Sequence, residues 1–454
     1  MCCPVYYGQR KVIEMPVLTN RIRGTQDVLP KDSYIWQGIE GIMLEVAKTY
    51  GFSEIRTPVF EHTELFERSV GDTTDVVQKE MYTFDDKGGR SITLRPEGTA
   101  GTVRAVIENG LLNEALPLKA CYISSCYRYE KPQAGRLREF HQFGVELFGS
   151  TSYTSDVQVI RVGQSVIEML GLRNISLEIN SIGCPDCRPE YHKALKDYFD
   201  NQKDGLCDTC KGRLTRNPMR ILDCKCPACR EIAKDAPVVL DFLCDCCAEH
   251  FDGVKSLLDI TGTAYTVNPR IVRGLDYYTK TVFEFISNDI GSQGAVCAGG
   301  RYDGLCAELG GSATPGLGFG MGIERIILVM KNQGIELNPP EGCNVYFASL
   351  DSASLSEAFR LSELLREEGI CAECDVMGRG LKAQMKYADK IGAKFTVVLG
   401  ENELTAQKAM LKNMETGGQT EIALDDNFTD TLSKLLIDEK LSHMPGFESE
   451  DGKE

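Results

Sequence analysis

Ten of the 19 cysteines lie in one stretch of the chain, between residues 184 and 247. In a reducing compartment thiols do not form lasting disulfides, so a dense group of cysteines indicates metal binding or redox chemistry. Eight of the ten form four Cys-x-x-Cys pairs, the spacing from which tetrahedral zinc sites are built. We therefore expect a Cys-rich insertion over residues 184–260, held by structural zinc because so small a module has little apolar core. The paired cysteines are Cys184, Cys187, Cys207, Cys210, Cys226, Cys229, Cys244 and Cys247.

The spacing does not decide which pairs would share a metal ion. Consecutive pairs give one set that ends at Cys210 and a second that starts at Cys226, and an interleaved arrangement stays open. Cys224 and Cys246 are left over and could replace a neighbour. Because the chain has only five histidines, ligation by four thiolates is favoured over mixed ligation. Unliganded thiols are the alternative, whereas a dithiol redox enzyme would not need four such pairs.

Charge and hydropathy exclude several classes of protein. A formal charge of −16 argues against a general nucleic-acid binder, because phosphate contacts need clustered Lys and Arg. The sequence has no run of about 18 apolar residues, which excludes a membrane-spanning helix. The first residues lack the apolar stretch of a signal peptide. We expect a cytoplasmic protein with no membrane partner.

Two segments have the pattern of an antiparallel strand pair: KACYISSCYRYE (residues 119–130) and REFHQFGVELFG (residues 138–149). Side chains alternate between the two faces of a strand, so the pairing collects polar groups on one surface. Antiparallel sheets often have a solvated face, but an aromatic ring and a glycine among these charges favour the floor of a pocket. The residues on that surface include Arg128, Glu130, Phe140, Gln142, Gly144 and Glu146.

These residues form part of a pattern that resembles the class II aminoacyl-tRNA synthetases. Arg128-x-Glu130, with Arg136 and Phe140 beyond a loop, is similar to their motif 2. Residues 51–60 (GFSEIRTPVF) resemble motif 1, and residues 316–328 (GLGFGMGIERIIL) resemble motif 3. Residues 271–279 (IVRGLDYYT) and 298–305 (AGGRYDGL) are similar to two signatures of the histidyl-tRNA synthetase family, and residues 94–99 (LRPEGT) fit the same family. The spacing of GLGFGMG does not match a dinucleotide-binding loop.

The resemblance implies an α+β fold with an antiparallel sheet in the catalytic domain, the Cys-rich insertion and a C-terminal α/β anticodon-binding domain. The family joins L-histidine to ATP, releases pyrophosphate and passes the histidyl group to the 3′ end of tRNA(His). ATP with Mg²⁺ is therefore the expected cofactor. Since motif 1 builds the dimer interface of class II enzymes, a homodimer is expected as well.

The resemblance also implies roles for individual residues. Arg128 and Arg273 would be the catalytic residues, since the arginine fork suits an α-phosphate. The ATP-binding residues would be Arg128, Glu130, Arg136, Phe140 and Arg325. The histidine-binding residues would be Glu97, Gly98, Thr99, Gln142, Glu146, Arg273, Tyr277, Tyr278 and Tyr302. The alternative for Tyr277 and Tyr278 is that they are core aromatics, and the alternative for Glu97 is an acidic residue at a helix N-terminus.

The last part of the chain has the pattern of a small α/β domain. Strand-like and helical runs alternate beyond a Pro- and Gly-containing linker at residues 333–342. Residues 342–454 carry 12 Lys and Arg against 21 Asp and Glu, yet basic residues recur there at spacings of three and four. On a helix they would share one side, either as a contact for tRNA phosphates or as a merely soluble face. The basic residues are Arg379, Lys382, Lys386, Lys390 and Lys394.

These patterns predict five segments of chain. Residues 1–14 would be an N-terminal extension, 15–335 the catalytic domain, 184–260 the insertion, 342–440 the anticodon-binding domain and 441–454 an acidic tail. Two other functions account for part of these patterns. A catalytically inactive paralogue that regulates ATP phosphoribosyltransferase commonly lacks the anticodon-binding domain and parts of the histidine signatures. A zinc-ribbon nucleic-acid binder would not explain the motif strands outside the insertion.

Overall fold

The computed structural model describes residues 19–71, 74, 76–224, 226–271, 275 and 277–442. The predicted extension, most of the predicted acidic tail and Arg273 lie outside the described residues. Within them the strands are β1 Ser53–Glu54, β2 Phe60–His62, β3 Tyr82–Asp85, β4 Ser91–Leu94, β5 Leu118–Tyr127, β6 Glu139–Phe148, β7 Ile175–Ser181, β8 Thr266–Val267, β9 Thr279–Ser287, β10 Ala295–Arg301, β11 Gly316–Gly322, β12 Val345–Ser349, β13 Ala372–Cys374, β14 Phe395–Leu399, β15 Lys408–Asn413 and β16 Gln419–Ala423.

The α-helices of the described residues are α1 Ser33–Thr49, α2 Thr63–Val70, α3 Thr99–Glu108, α4 Tyr153–Met169, α5 Arg188–Asp200, α6 Asp208–Arg216, α7 Met219–Leu222, α8 Pro227–Ala233, α9 Asp245–Ile260, α10 Leu305–Glu308, α11 Ile323–Gln333, α12 Ser352–Glu367, α13 Leu381–Lys390, α14 Glu401–Ala406 and α15 Phe428–Ser442. No helix in this part of the chain is long and apolar enough to cross a membrane. The chain divides into two compact units between Leu337 and Asn338.

The first unit is built on an eight-stranded sheet in the order β1-β5-β6-β11-β10-β9-β7-β8. Its central strands are antiparallel, and the outermost pairs, β1 with β5 and β7 with β8, are parallel. The expectation of a largely antiparallel catalytic sheet is confirmed. A separate three-stranded sheet, β2-β4-β3, carries the segments that flank the motif 1 sequence.

Alternation along β6 separates the hydrophobic core from the functional face. Phe143, Val145 and Leu147 are buried against a layer that includes α1, α4, α9 and α11. The intervening Gln142 and Glu146 point to the opposite face, as the two-residue period of a strand requires. The register of β5 with β6 places Ser124 beside Gln142 and Ala120 beside Glu146, so the predicted pairing of these strands is confirmed.

The insertion leaves the sheet after β7 and returns to it through α9. Helices α5 to α8 enclose a small core that includes Tyr191, Leu195, Phe199 and Leu214. By contrast, Phe251 and Val254 of α9 belong to the main core of the catalytic sheet. The insertion is therefore anchored at both of its ends.

The second unit has a five-stranded sheet in the order β13-β12-β14-β15-β16. The first three strands are parallel, as the alternation of strands and helices predicts, and β15 and β16 add an antiparallel hairpin. Helix α12 begins with a capping box, in which Asp351 accepts from the Ser354 N–H and the Ser354 hydroxyl accepts from the Asp351 N–H. The core of this unit includes Phe347, Leu361 and Val397.

Candidate active site and metal centres

A cavity of about 280 Å³ opens on the polar face of the large sheet. It is formed where β6, β10 and β11 meet the segment after β5, the start of α3 and the segment before β9. Most of the residues predicted to bind ATP or histidine lie together in its wall. They are Glu97, Thr99, Arg128, Glu130, Arg136, Phe140, Gln142, Tyr277, Tyr278 and Arg325.

The glycines of β11 leave room for polar side chains from β6. A Cβ on Gly318 would lie 1.9 Å from Oε2 of Glu146, and a Cβ on Gly320 would lie 1.9 Å from Nε2 of Gln142. Real Cβ atoms essentially never approach a heavy atom so closely. The glycine-rich strand of motif 3 therefore makes room for Gln142 in the cavity wall and for Glu146 behind it.

Glu146 is fully buried behind Thr99. Its Oε1 accepts hydrogen bonds from the hydroxyls of Thr99 at 2.7 Å and Tyr122 at 3.1 Å, and its Oε2 accepts one from Tyr302. Burial raises the pKa of Glu146 to about 8, in opposition to these hydrogen bonds. A carboxylate held in this way can pair with a hydrogen-bond donor that brings a proton or a positive charge.

Glu97 lies at the N-terminus of α3. Its carboxylate accepts hydrogen bonds from the backbone N–H groups of Thr99 at 2.7 Å and Ala100 at 2.8 Å. These are the contacts of an acidic residue at a helix N-terminus, which is the alternative that the sequence predicts for Glu97. Glu97 also lines the cavity, and burial raises its pKa. The remaining lone pairs of its oxygens can accept from an ammonium group.

Tyrosines form the wall opposite Glu97. The rings of Tyr277 and Tyr278 lie 4.6 Å apart, and those of Tyr277 and Tyr302 lie 5.6 Å apart with an edge-on geometry. All three are at most 7% exposed. They belong to a buried cluster, as the core alternative expects, yet Tyr277 and Tyr278 also line the cavity.

Three arginines of the cavity wall, Arg128, Arg136 and Arg325, lie close enough together for their charges to interact. Arg136 pairs with Glu130 at 2.6 Å, and the Arg128 guanidinium lies 5.3 Å from the centroid of the Phe140 ring. Arg325 donates to the carbonyls of Gly135 and Ala295. Burial and the charge of Arg136 lower the pKa of Arg325. An anion bound here would relieve that repulsion, which suits a polyphosphate.

The cysteines of the insertion form two groups of four, and each group brings its Sγ atoms within 4.8 Å of one another. The base cluster contains Cys184, Cys187, Cys244 and Cys247. The insertion cluster contains Cys207, Cys210, Cys224 and Cys229. Every cysteine of both clusters is free of disulfides.

This arrangement corrects the expected ligand sets. The consecutive pairing of Cys-x-x-Cys units is wrong, because the first and last units meet at the base of the insertion. Cys226 is also wrong as a candidate ligand, because it lies outside both groups and Cys224 takes its place beside Cys207, at an Sγ–Sγ distance of 3.9 Å. At the insertion cluster, the Cys210 backbone N–H lowers the pKa of the Cys207 thiol to about 7.

The basic residues of the second unit lie only partly on one helix. Lys382, Lys386 and Lys390 are exposed on α13 at spacings of four, as predicted. The placement of Arg379 and Lys394 on that helix is wrong, because α13 begins only after Gly380 and ends at Lys390. The Arg379 guanidinium instead lies 4.3 Å from the centroid of the Tyr387 ring.

Tyr122 is a site residue that sequence reasoning did not single out. Its ring lies between Gly98 and Gly144, where an added Cβ would come within 2.2 Å of it, and its hydroxyl reaches Glu146. The available signal was its place on the same face of β5 as the other polar residues, directly opposite Gly144. Gly98, predicted to bind histidine, provides the space for this ring.

An antiparallel sheet with a glycine-lined floor and an arginine-rich cavity defines a class II aminoacyl-tRNA synthetase. A family profile described as histidyl-tRNA synthetase matches residues 24–186 and 234–326, and a profile described as an anticodon binding domain matches residues 344–434. The chain belongs to the histidyl-tRNA synthetase family and is an aminoacyl-tRNA ligase.

Individual relatives agree with this assignment. The histidine–tRNA ligase of Caldanaerobacter subterraneus is 55% identical over 410 residues, which span 90% of this chain and 98% of the relative. That of Clostridium novyi is 54% identical over 415 residues, or 91% and 98%. The crystal structure of apo S. aureus histidyl-tRNA synthetase matches with a TM-score of 0.79 and 38% identity, covering 91% of this chain and 100% of that chain.

A Bacillus halodurans structure described as an ATP phosphoribosyltransferase regulatory subunit/histidyl-tRNA synthetase is also similar, with a TM-score of 0.62 and 22% identity. It covers 85% of this chain and 100% of that chain, and at this identity the likeness concerns the fold alone. The regulatory alternative is not favoured, because histidine–tRNA ligases of much higher identity cover nearly the whole chain.

Proposed function

We propose that this cavity joins L-histidine to ATP and that the histidyl group then passes to the 3′ end of tRNA(His). The observation that carries the proposal is the buried Glu146 carboxylate held by three hydroxyls behind the cavity wall. An apolar side chain in the cavity would offer no hydrogen-bond partner to the polar groups that line it, such as Glu97 and Gln142. Such a pocket discriminates by about 10⁴–10⁵ without an editing site.

Histidine and ATP would bind at the two ends of the cavity. Glu146, with Tyr278, would receive the imidazole, while Glu97 would receive the α-amino group. Arg136 and Arg325 would hold the γ-phosphate, and Phe140 would support the adenine. Mg²⁺ arrives chelated by ATP and needs few protein ligands, of which Glu130 is a candidate.

The first step is an in-line attack. A carboxylate oxygen of histidine forms a bond to the α-phosphorus, the bond from that phosphorus to the bridging oxygen breaks, and pyrophosphate leaves. Arg128 would stabilise the charge that develops on the α-phosphate, and Arg273 would share this role. In the second step a hydroxyl of the terminal ribose of tRNA attacks the carbonyl carbon, and AMP leaves. Positioning and charge stabilisation carry both steps, so no nucleophilic side chain is needed.

Histidine-dependent exchange of pyrophosphate into ATP tests the first step, and charging of tRNA tests the second. We expect exchange with histidine and none with leucine or phenylalanine. Replacement of Glu146 by Gln should abolish the preference, whereas Glu168→Gln, on the exposed surface of α4, should behave as the parent. Folded protein without exchange would contradict the proposal and support the regulatory paralogue.

We also propose that each cysteine cluster binds a structural zinc ion. A zinc–sulfur bond of about 2.3 Å in a tetrahedron separates the sulfurs by about 3.8 Å. In the base cluster the Sγ of Cys184 lies 3.7 Å from that of Cys187 and 3.9 Å from that of Cys244. These spacings fit four thiolates around one ion, and the metal would stabilise a module whose own core is small.

Metal analysis under reducing conditions tests this proposal. The parent should contain two zinc ions per chain and Cys224→Ser should contain one, since Cys224 belongs to the insertion cluster. Cys226→Ser and Cys246→Ser are matched controls that should retain both ions, because these cysteines lie outside the two groups. Protein purified without zinc would refute the proposal.

The exposed lysines of α13 are proposed to contact tRNA phosphates. Lys382, Lys386 and Lys390 follow one side of a helix in the unit that matches the anticodon-binding profile. Three like charges at spacings of four repel one another slightly, and a bound polyanion would remove that repulsion. Arg379, beside this helix, would extend the same surface.

The remaining expectations concern assembly and location. We propose a homodimer, in line with the motif 1 resemblance; Val59 and Phe60, the last two residues of that motif, are 40% and 59% exposed, which suits an interface. We also propose a cytoplasmic location. The cysteines of the two clusters are free of disulfides, which suits a reducing compartment that preserves thiols.

A further inference from the structure

The base cluster lies at the point where the insertion joins the catalytic sheet. Cys184 and Cys187 follow β7, and Cys244 directly precedes α9, which packs in the main core. The Cys244 backbone N–H donates to Sγ of Cys187 at 3.2 Å, across 57 residues of chain. A metal ion here would connect the chain segment that enters the insertion with the segment that leaves it.

The first half of the base cluster is hydrogen-bonded to the segment that carries the pocket tyrosines. The Ile182 N–H donates to the Lys280 carbonyl at 2.8 Å, and the Lys280 N–H donates to the Gly183 carbonyl at 2.9 Å. On the other side of the Cys-x-x-Cys turn, the Arg188 guanidinium donates to the carbonyl of Tyr278. The turn is therefore bound on both sides to residues 278–280.

The turn itself is compact. Gly183 has a φ of +69°, and a Cβ added there would lie 2.7 Å from Cβ and 3.3 Å from Sγ of Cys187. Cys187 thus packs closely against Gly183 and directly precedes Arg188, so a displacement of Cys187 would disturb the two residues whose hydrogen bonds hold the tyrosine segment. From Tyr278 the contact continues through Tyr277 and Tyr302 to Glu146.

The insertion cluster lacks such backbone connections to residues 278–280 among the described hydrogen bonds. The Cys207 N–H donates to Sγ of Cys229 at 3.2 Å, within the insertion. The small core around this cluster meets the tyrosine cluster through Met219 of α7, an apolar contact without directional bonds. The two clusters thus differ in how directly they are joined to the histidine pocket.

We propose that the metal ion of the base cluster positions the Tyr277–Tyr278 wall of the histidine pocket through Arg188 and the Gly183–Lys280 backbone pair. The inference rests on the zinc and histidine-site proposals above. Arg188 is then a positioning residue, which acts through the Tyr278 carbonyl. Loss of the base metal would weaken histidine binding in the activation step, while loss of the insertion metal would spare that step.

Steady-state pyrophosphate exchange with single-cluster variants tests the inference. Cys184→Ser with Cys187→Ser should remove one zinc ion and raise KM for histidine about tenfold or more, as loss of an outer-shell partner does elsewhere. KM for ATP should stay within about twofold of the parent, because the arginine end of the cavity is untouched. The matched control, Cys207→Ser with Cys210→Ser, should also lose one zinc ion but keep the parental KM for histidine.

Arg188 variants provide the second measurement, since the double cysteine variant could fail to fold. Arg188→Ala should keep both zinc ions and raise KM for histidine, and Arg188→Lys should restore part of the loss because it retains a donor. An unchanged KM for histidine in Arg188→Ala would overturn the inference, as would equal increases on loss of either cluster. If the parent contained no zinc, both the zinc proposal and this inference would fall. If the parent contained two zinc ions but KM for histidine did not change in the variants, only this inference would fall.

Discussion

The carboxylate of Glu146 occupies the space that a Cβ at position 318 would take, at 1.9 Å from the ideal position of that atom. Gly318 and Glu146 are directly paired across β11 and β6, two strands separated by more than 160 residues of chain. Position 318 of motif 3 must therefore be glycine because the side chain of Glu146, from a distant part of the sequence, fills the adjacent space.

Gly318→Ala should therefore displace Glu146 and impair histidine activation. The added Cβ would also lie 2.3 Å from the Val145 carbonyl oxygen, so both the carboxylate and the backbone of β6 would have to shift, and we expect KM for histidine to rise by about 10²-fold or more. Gly304→Ala, where an added Cβ has nothing within 4 Å, is the control and should leave exchange unchanged. Equal activity of the two variants would show that the pocket adapts without Glu146 in this position.

Glu146 should also make stability depend on pH. Its pKa is raised by burial to about 8 from an ordinary value of 4.5, so the folded protein prefers the protonated carboxyl. The free energy of unfolding therefore falls as pH rises above the pKa of Glu146 in the unfolded chain, and it continues to fall until pH reaches the pKa in the folded protein. Glu146→Gln removes the penalty and should become more stable relative to the parent by about 2–4 kcal/mol between pH 5 and 8.

Urea unfolding at pH 5 and pH 8 measures this difference. Other groups whose charges act on Glu146 include Glu97, Tyr122, Tyr277, Tyr302 and Cys306, and they are the same in the two proteins. A difference in unfolding free energy that is the same at both pH values would contradict a raised pKa for Glu146. Glu168→Gln should show no such change with pH.

Arg325→Ala should weaken ATP binding much more than histidine binding. The guanidinium lies in a cavity beside Arg128 and Arg136 and donates to the carbonyl oxygens of Gly135 and Ala295, while the carboxylates of Glu130 and Glu284 offset part of the repulsion. Loss of a charged contact to phosphate should raise KM for ATP by about 10–10²-fold. Lys331→Ala, exposed on the same helix α11, is the control. A larger effect on KM for histidine would reassign Arg325 to the other end of the cavity.

Lys386→Glu combined with Lys390→Glu should raise KM for tRNA and leave pyrophosphate exchange intact, because α13 lies in the second unit. The increase should grow with falling salt concentration, since phosphate contacts are screened by ions. Lys408→Glu with Lys412→Glu makes the same change of charge on β15 and serves as the control. Equal loss of exchange and charging would point to misfolding rather than to a tRNA contact.

Much of the site could be predicted because the pattern of side chains within β5 and β6 shows which residues share a face. Strict alternation places Tyr122, Gln142 and Glu146 on one face, and the polar segment with Pro and Gly between the strands favours their antiparallel pairing. The partner of these strands could not be predicted in the same way. The pairing of Gly318 with Glu146 depends on distant segments, and no local pattern specifies it.

The errors have physical reasons of the same kind. Arg379 continues the basic spacing of α13, yet its N–H donates to Asp375 at 2.6 Å and its carbonyl accepts from Gln384 at 2.7 Å, which holds it in the preceding loop. The cysteine spacing shows which residues form Cys-x-x-Cys units, but it does not show which units come together in one cluster. The packing of α5 to α8 brings Cys224 rather than Cys226 to the insertion cluster.

The two cysteine clusters are nested along the chain, one inside the other. Cys207 and Cys224 of the inner group are 17 residues apart, whereas Cys184 and Cys244 of the outer group are 60 residues apart. A growing polypeptide therefore completes the inner ligand set while the last half of the outer set is still to be translated. During synthesis the insertion cluster would therefore bind its metal ion before the base cluster does. If zinc became limiting after the first ion, the insertion would be folded, but the base cluster that joins it to the sheet would lack its metal.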